Sequence, residues 1–189
     1  MGDRFCEPIL RYLRIRKIAK YITPNARVLD VGCGEEASTL TALSAKIASG
    51  VGIDIRAKER TTGNITILQS SFDGAPLPFT DNEFDAVLLV AVLEHLNHRV
   101  EILKEIKRVL KPGGTLVMTV PTWAAKPILE FLAFKVKIVS EEGVREHKTY
   151  FWKQELIEAF LAAGFKREHI KAHYFELGVN LSAVVSKER

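Results

Sequence analysis

The feature that most constrains this chain is a glycine turn directly after a short apolar run. Residues 28–36 read VLDVGCGEE, so Asp30 stands inside the apolar run, and Gly32 and Gly34 follow it. This pattern predicts a buried strand, a tight turn and the start of a helix, with a backbone bare enough for a ligand to approach closely. Asp54 ends the next apolar run, at the spacing from which an acid can hold the two hydroxyls of a ribose. The chain is therefore expected to bind a nucleoside-like cofactor.

Acidic residues around the turn bear on which cofactor it is. The turn also satisfies the dinucleotide fingerprint, because Ala37 stands in its last place. A pyrophosphate needs bare amide donors at a helix N-terminus, whereas Glu35 and Glu36 are expected at that point. A cationic cofactor without phosphate, such as S-adenosylmethionine, fits better, with Asp30 near its amino-acid tail and holding the ammonium through water. The alternative for each glutamate is a favourable position in the helix dipole.

The rest of the chain alternates predicted strands and helices. Near-continuous apolar runs, typical of parallel strands covered on both faces, lie at 27–31, 51–55, 65–69, 84–91, 115–120, 170–176 and 180–186. Helical spacing of apolar residues lies over 5–22, 36–47, 98–111 and 153–163. The alternation predicts an α/β fold, a doubly wound, mostly parallel sheet of seven strands, Rossmann-like in layout.

The chain is short enough, at 189 residues, to form one domain. Residues 1–24 are expected to dock beside the sheet or to cover the cofactor as a lid. Residues 121–150 break the alternation beyond the fifth strand, where ligands bind in open α/β sheets, and are predicted to cover the substrate. Exposed apolar residues among 123–134 are a candidate surface for a homodimer.

Charge and composition exclude several classes of protein. The net charge is +4, and residues 1–23, with six basic and two acidic residues, hold the whole surplus. A general nucleic-acid surface is therefore not expected. No apolar run approaches the roughly 18 residues of a membrane span. Two cysteines and an N-terminus without a signal-peptide profile predict a cytoplasmic protein.

The motifs together resemble a known family, the class I S-adenosylmethionine-dependent methyltransferases, in the small-molecule branch similar to the ubiquinone-biosynthesis methyltransferases. The matching stretches are 28–36, 52–55, 76–87, 93–96 and 103–121. The resemblance implies an antiparallel final strand beside the fifth strand. It also implies S-adenosylmethionine as cofactor and S-adenosylhomocysteine as product. One departure is Glu36, where the family often has a third glycine.

The resemblance also assigns cofactor-binding positions. Phe72 and Asp73 match the positions that frame the adenine, with Phe72 on the base and Asp73 accepting from its amine. The alternatives are core packing for Phe72 and a turn role before Gly74 for Asp73. Cys33 is expected to be a small filler against the turn. The full predicted set is Asp30, Gly32, Cys33, Gly34, Asp54, Ile55, Phe72, Asp73 and Val90.

Candidate catalytic residues lie just beyond the fourth strand and in the covering segment. Glu94 and His95 follow the strand, and His147 lies in the covering segment. A histidine suits proton transfer near neutral pH, although His95 can instead close its loop by a structural hydrogen bond. A base is needed only for an acceptor that is still protonated, because positioning supplies most of the rate of such a displacement. No set of residues has metal-ligand spacing, so no metal is expected.

The leading interpretation is methyl transfer, by in-line displacement, to a small-molecule acceptor that the sequence does not identify. Residues 91–94 read AVLE and lack the Asn/Asp-Pro-Pro-aromatic motif of amino-methylating nucleic-acid enzymes. Nucleic acid is therefore not expected as the acceptor. Two alternatives stay open: a non-catalytic cofactor-binding subunit that regulates a partner, and an NAD(P)-dependent oxidoreductase.

Overall fold

A computed structural model describes residues 15–125 and 149–189, and it contains one mixed sheet. The sheet has eight strands in the order β3-β4-β2-β1-β5-β6-β8-β7. The strands are β1 Arg27–Val31, β2 Ser49–Asp54, β3 Arg60–Thr62, β4 Ile65–Gln69, β5 Phe84–Val90, β6 Leu110–Pro121, β7 Ile170–Phe175 and β8 Asn180–Ser186. Five neighbouring strands, from β4 to β6, run parallel, so their carboxyl ends meet at one edge.

Helices cover both faces of the sheet. They are α1, whose described part spans 15–19, α2 Ser38–Leu43, α3 Arg99–Val109 and α4 Lys153–Ala162. Ile18 and Leu40 pack with Val28 on one side, which we call the α1 face. Ile102 and Phe160 pack in the larger core on the other side, the α3 face. Because side chains alternate along a strand, each central strand contributes residues to both cores. Burial on both faces explains why the sequence of each central strand is an unbroken apolar run.

The predicted antiparallel final strand is confirmed. β8 runs antiparallel to β6, with Thr119 opposite Ser182, and β7 pairs antiparallel with β8 at the sheet edge. The sheet has one strand more than the seven predicted, because β3 forms a hairpin with β4. All three residues of β3 are exposed, so this strand has no apolar signal in the sequence. Gly63, with φ of 58°, makes the hairpin turn.

Two predicted boundaries were wrong. α2 begins at Ser38 rather than near residue 36, because Ala37 adopts a left-handed φ of 46° and separates the turn from the helix. β6 begins at Leu110, directly after α3, whereas the sequence predicted a helix to 111 and a strand from 115. Within the ranges that the structure covers, no helix is both long and apolar enough to cross a membrane.

Candidate functional site

The glycine turn lies at the carboxyl end of β1 and is fixed by hydrogen bonds to β2. The backbone N–H groups of Gly32 and Cys33 both donate to the Ile53 carbonyl, at 2.8 and 3.1 Å. The Gly34 N–H donates to Asp54 Oδ2 at 3.0 Å, and the Arg56 N–H donates to Asp54 Oδ1 at 2.8 Å. The predicted ribose-binding acid is therefore also the residue that anchors the turn, which the sequence spacing did not reveal.

The two glycines of the turn are required for different reasons. A Cβ on Gly32 would lie 2.4 Å from Cγ2 of Val92, so this position must be bare for the chain after β5 to pack against the turn. A Cβ on Gly34 would meet no protein atom within 4 Å, and this position opens onto free space. Both residues have positive φ, 77° and 70°, which favours glycine. Only Gly34 leaves the backbone open to a ligand.

Asp30 is a buried carboxyl group beneath the turn. Its side chain lies on the α1 face and is only 2% exposed. Burial, together with the nearby negative charge of Asp54, raises the pKa of Asp30 to about 7. A cationic group beside Asp30 would favour its ionised form. The pair of carboxyl groups thus forms an environment that favours a positively charged ligand.

Cys33 packs inside the turn. Its Sγ donates to the Gly34 carbonyl at 3.3 Å, and it occupies the space left by Gly52, where a Cβ would lie 2.7 Å from Sγ. Burial, with the charges of Asp30 and Asp54, raises the pKa of the thiol to about 12. The thiol is therefore protonated at neutral pH and unsuited to act as a nucleophile.

The residues predicted around the adenine differ in their surroundings. Ile55 follows β2 with 61% of its surface exposed. Phe72 is buried in the core of the α3 face. The Asp73 carboxylate accepts hydrogen bonds from the backbone N–H groups of Asn97 and His98 and from the Asn97 side chain. These bonds hold the pKa of Asp73 below its ordinary value against the opposing effect of burial. Asp73 therefore fixes the loop that leads into α3.

The candidate catalytic residues lie beyond β5. Leu93–His95 form a single 3₁₀ turn, in which Glu94 is buried and His95 is half-buried. Val90 ends β5 half-buried on the α1 face, opposite Thr119 of β6. His147 lies outside the described residues.

The structure changes the interpretation of the two glutamates after the turn. Glu35 and Glu36 are exposed and lie before α2, whose first turn contains no acidic residue. They therefore lie outside the first turn of α2, directly before its N-cap residue Ala37. Arg60 of β3 donates to the Glu35 carbonyl at 2.6 Å and holds this loop in place.

Two buried polar residues, one on β6 beside Val90 and one on β8, were not predicted from the sequence. Thr119 of β6 and Ser182 of β8 are buried on the α1 face. The available signal was a hydroxyl residue at an alternating position within each apolar run.

Comparison with known proteins identifies the family. A model of a methyltransferase domain matches residues 29–118. Demethylmenaquinone methyltransferase from Staphylococcus carnosus is 30% identical over 176 residues, which cover 80% of this chain and 72% of that protein. The chain belongs to the class I S-adenosylmethionine-dependent methyltransferases. Another relative of this methyltransferase is the ubiquinone/menaquinone biosynthesis C-methyltransferase UbiE from Geotalea daltonii. It is 35% identical over 57% of this chain and 50% of its own length.

Solved structures share the fold at lower identity. A chain of the complex between the Haloferax volcanii Trm112 methyltransferase activator and a methyltransferase superposes with a TM-score of 0.76. This match has 22% identity and covers 99% of this chain and 94% of that one. An S-adenosylmethionine-dependent methyltransferase from Archaeoglobus fulgidus gives 0.72 at 18% identity, over 95% and 94% of the two chains. The cofactor of this methyltransferase is S-adenosylmethionine, so the oxidoreductase alternative is set aside.

The residues of the turn fit such a cofactor on physical grounds. The space in front of Gly34 is open, and Ile55, which follows Asp54, has an exposed apolar side chain. The buried Asp30 carboxyl supplies a counter-charge for a cation. The methyltransferase therefore presents an open backbone, an apolar surface and a negative charge at the same edge of the sheet.

Proposed function

We propose that the methyltransferase methylates a ring carbon of a hydroxylated, quinone-type small molecule. The observation that carries this proposal is the 30% identity to a demethylmenaquinone methyltransferase over most of both chains. A relative named for C-methylation in ubiquinone and menaquinone biosynthesis supports the same choice of acceptor atom.

In this proposal the carboxyl ends of β1 and β2 hold the cofactor. Asp54, already anchored to the Gly34 amide, accepts from the ribose hydroxyls with its remaining lone pairs. Gly34 admits the cofactor to its backbone, and Ile55 covers one face of the adenine. Asp30 is the counter-charge of the amino-acid tail. Phe72 and Asp73 border the adenine from the loop after β4, which Asp73 joins to the loop before α3.

The acceptor would lie beyond β5 and β6, on the side where Val90 and Thr119 face each other. Bound S-adenosylmethionine supplies a methyl carbon activated by its sulfonium. The task of the protein is then to align the acceptor carbon with that methyl group in a water-poor pocket. His95, Glu94 and His147 stay the candidates for taking a proton from an acceptor hydroxyl, which would raise the electron density of the ring.

We further propose that the whole chain forms one domain, with residues 1–24 and 121–150 covering the acceptor. The described ends of these segments support this arrangement. Ile18 and Ile22 are buried on the α1 face. Thr122 bridges to Phe151, so both ends of the 121–150 segment meet beyond β6. Dimerisation through residues 123–134 stays a prediction, and sedimentation of the purified protein tests it.

The deciding experiment supplies S-adenosylmethionine and chemically reduced demethylmenaquinone to the purified protein. We expect a product one methylene heavier that still reoxidises to a quinone, because a methyl group on carbon leaves both ring oxygens free. A product that no longer reoxidises would indicate methylation of oxygen. Absence of transfer by a protein that binds the cofactor in calorimetry would overturn the proposed acceptor. Asp54→Asn serves as the variant with weakened cofactor binding.

A further inference from the structure

Polar side chains collect on the α1 face of the last three strands, at the same edge as the cofactor site. Thr119 of β6 pairs with Ser182 of β8, and Asn180 stands two residues earlier on β8, opposite Pro121. The 3₁₀ turn Glu176–Gly178 joins β7 to β8 and reaches this edge, because the Thr122 N–H and hydroxyl donate to the carbonyls of Val179 and Gly178. We call Thr119, Glu176, Asn180 and Ser182 the polar cluster.

Two atoms of the polar cluster are buried without a hydrogen bond. Within the described part of the chain, neither Oγ1 of Thr119 nor Oε1 of Glu176 has a partner. Thr119 is 3% exposed, so its hydroxyl is not solvated either. Leaving such a group unsatisfied is destabilising, and native proteins seldom keep one without a reason. The other carboxylate oxygen of Glu176 accepts from Asn180 Nδ2 at 2.5 Å, which fixes the orientation of the acid.

The backbone at Glu176 is also strained. Its φ of 51° lies in the left-handed region, which residues other than glycine seldom adopt. Strain and unsatisfied groups that occur together are typical of ligand-binding sites. Lys17 of α1 lies above the neighbouring Phe175 ring at 3.8 Å and places a positive charge near this turn.

We propose that the polar cluster is the subsite that binds the oxygens of the acceptor. This inference rests on the proposed function and assigns the residues that recognise the acceptor. A carboxylate only accepts hydrogen bonds, so Glu176 selects an oxygen that carries a proton. The Thr119 hydroxyl can donate or accept and binds a second oxygen of the ring. Asn180, whose side chain bonds Glu176, stands two residues from Ser182, the strand partner of Thr119, so both residues belong to the same end of β8.

Binding of naphthalene probes in the presence of S-adenosylhomocysteine tests the subsite without requiring turnover. The probes are 4-methoxy-1-naphthol, which has a hydroxyl to donate and a second oxygen, and 1,4-dimethoxynaphthalene, which has two oxygens and no hydroxyl. We expect the wild-type chain to prefer 4-methoxy-1-naphthol about tenfold, because a hydrogen bond to a charged acceptor is strong. Glu176→Gln should reduce this preference to about twofold. Thr119→Val should weaken both probes by about fivefold, because both carry the second oxygen to which threonine donates.

The matched control is Thr115→Val, the same change on the same face of β6 but four residues earlier along the strand. It should leave the binding of both probes unchanged. Thermal unfolding separates recognition from a structural role: Thr119→Val should unfold at the wild-type temperature or above it, since it removes an unsatisfied hydroxyl. Affinity for S-adenosylhomocysteine should stay within twofold of wild type in all variants.

An equal preference of wild type and Glu176→Gln for the hydroxyl probe would overturn the subsite, as would undetectable binding of 4-methoxy-1-naphthol by the wild type. Marked destabilisation by Thr119→Val would show a structural role instead. If the probes behave as expected and reduced demethylmenaquinone is not methylated, the subsite stands and the proposed acceptor fails. If methylation proceeds and the variants bind as wild type does, the proposed function stands and the subsite fails.

Discussion

The two halves of the reactive edge differ in how their polar groups are satisfied. On the proposed cofactor half, Asp54 accepts from two backbone amides and Asp73 accepts from the loop before α3, so these groups are fixed before any ligand arrives. On the proposed acceptor half, Thr119 and Glu176 each carry a buried oxygen atom that no described residue satisfies. The first half is preorganised by the protein alone, whereas we propose that the second is completed by what binds there. Such a division lets one fold keep its cofactor while the acceptor varies.

The largest expected effect is that of Asp30 on stability, because burial clearly shifts the pKa of this carboxyl group. Its raised pKa means that the folded chain binds the proton more tightly than the unfolded chain does. Stability should therefore fall as the pH rises from about 4 to about 7, by up to about 4 kcal/mol. Asp30→Asn should remove this decline. Denaturant unfolding at pH 5 and pH 8 checks it, and parallel pH profiles for the variant and wild type would contradict it.

Asp30 also predicts how the binding of the cofactor depends on pH. A positively charged ligand favours the ionised form of Asp30, so binding should release a proton near neutral pH. Calorimetry in buffers of different ionisation enthalpy measures that proton. The Asp30→Asn variant should bind the cofactor more weakly and should release no proton. An equal proton release by both proteins would place the proton on another group.

Substitutions of Gly32 and Gly34 distinguish the packing of the turn from the access of the cofactor to its backbone. Gly32→Ala should cost about 2–3 kcal/mol of stability, because the new Cβ meets Val92 in a close-packed region. Gly34→Ala, the matched control, meets no atom and should cost about 1–2 kcal/mol from its positive φ alone. In contrast, among folded molecules, Gly34→Ala should weaken the binding of the cofactor more than Gly32→Ala does. Unfolding curves combined with titration calorimetry test this reversal of order.

Asp54→Ala should weaken cofactor binding at least tenfold, about 1.4 kcal/mol. The change removes a charge-assisted contact and also frees the Gly34 amide. Titration calorimetry measures the affinity, and circular dichroism verifies that the variant is folded. Unchanged affinity in a folded variant would mean that Asp54 serves the turn alone.

Arg60 gives the smallest expected effect. Its guanidinium holds the Glu35 carbonyl from an exposed strand, and contacts of this kind contribute about 0.5–1.5 kcal/mol. Arg60→Ala should lower the free energy of unfolding by less than about 1 kcal/mol and change cofactor affinity by no more than threefold. A larger loss of affinity would make β3 a part of the cofactor site.

The sequence predicted most of the sheet because its central strands are buried on both faces and leave a clear apolar signal. β5 and the antiparallel β8 are examples. β3 was not predicted, because its exposed residues depend on pairing with β4 rather than on burial. The start of α2 depends on the backbone angle at Ala37, which residue type does not encode.

The candidate site was predictable where spacing along one strand-turn unit sets it, as for Asp30, Gly34 and Asp54. The anchoring of the turn by Asp54 and the loop bonds of Asp73 depend on three-dimensional contacts. Thr119 and Glu176 come together only because β8 reverses direction. No spacing along the chain connects these two residues.

That reversal has a practical consequence. Because β8 runs against its neighbours, the short link between β7 and β8 emerges beside the reactive groups rather than at the far end of the molecule. Residues 176–179 can therefore be redesigned or lengthened to accommodate a different substrate ring. Such changes would leave the glycine turn, and therefore the proposed site of the methyl donor, unchanged.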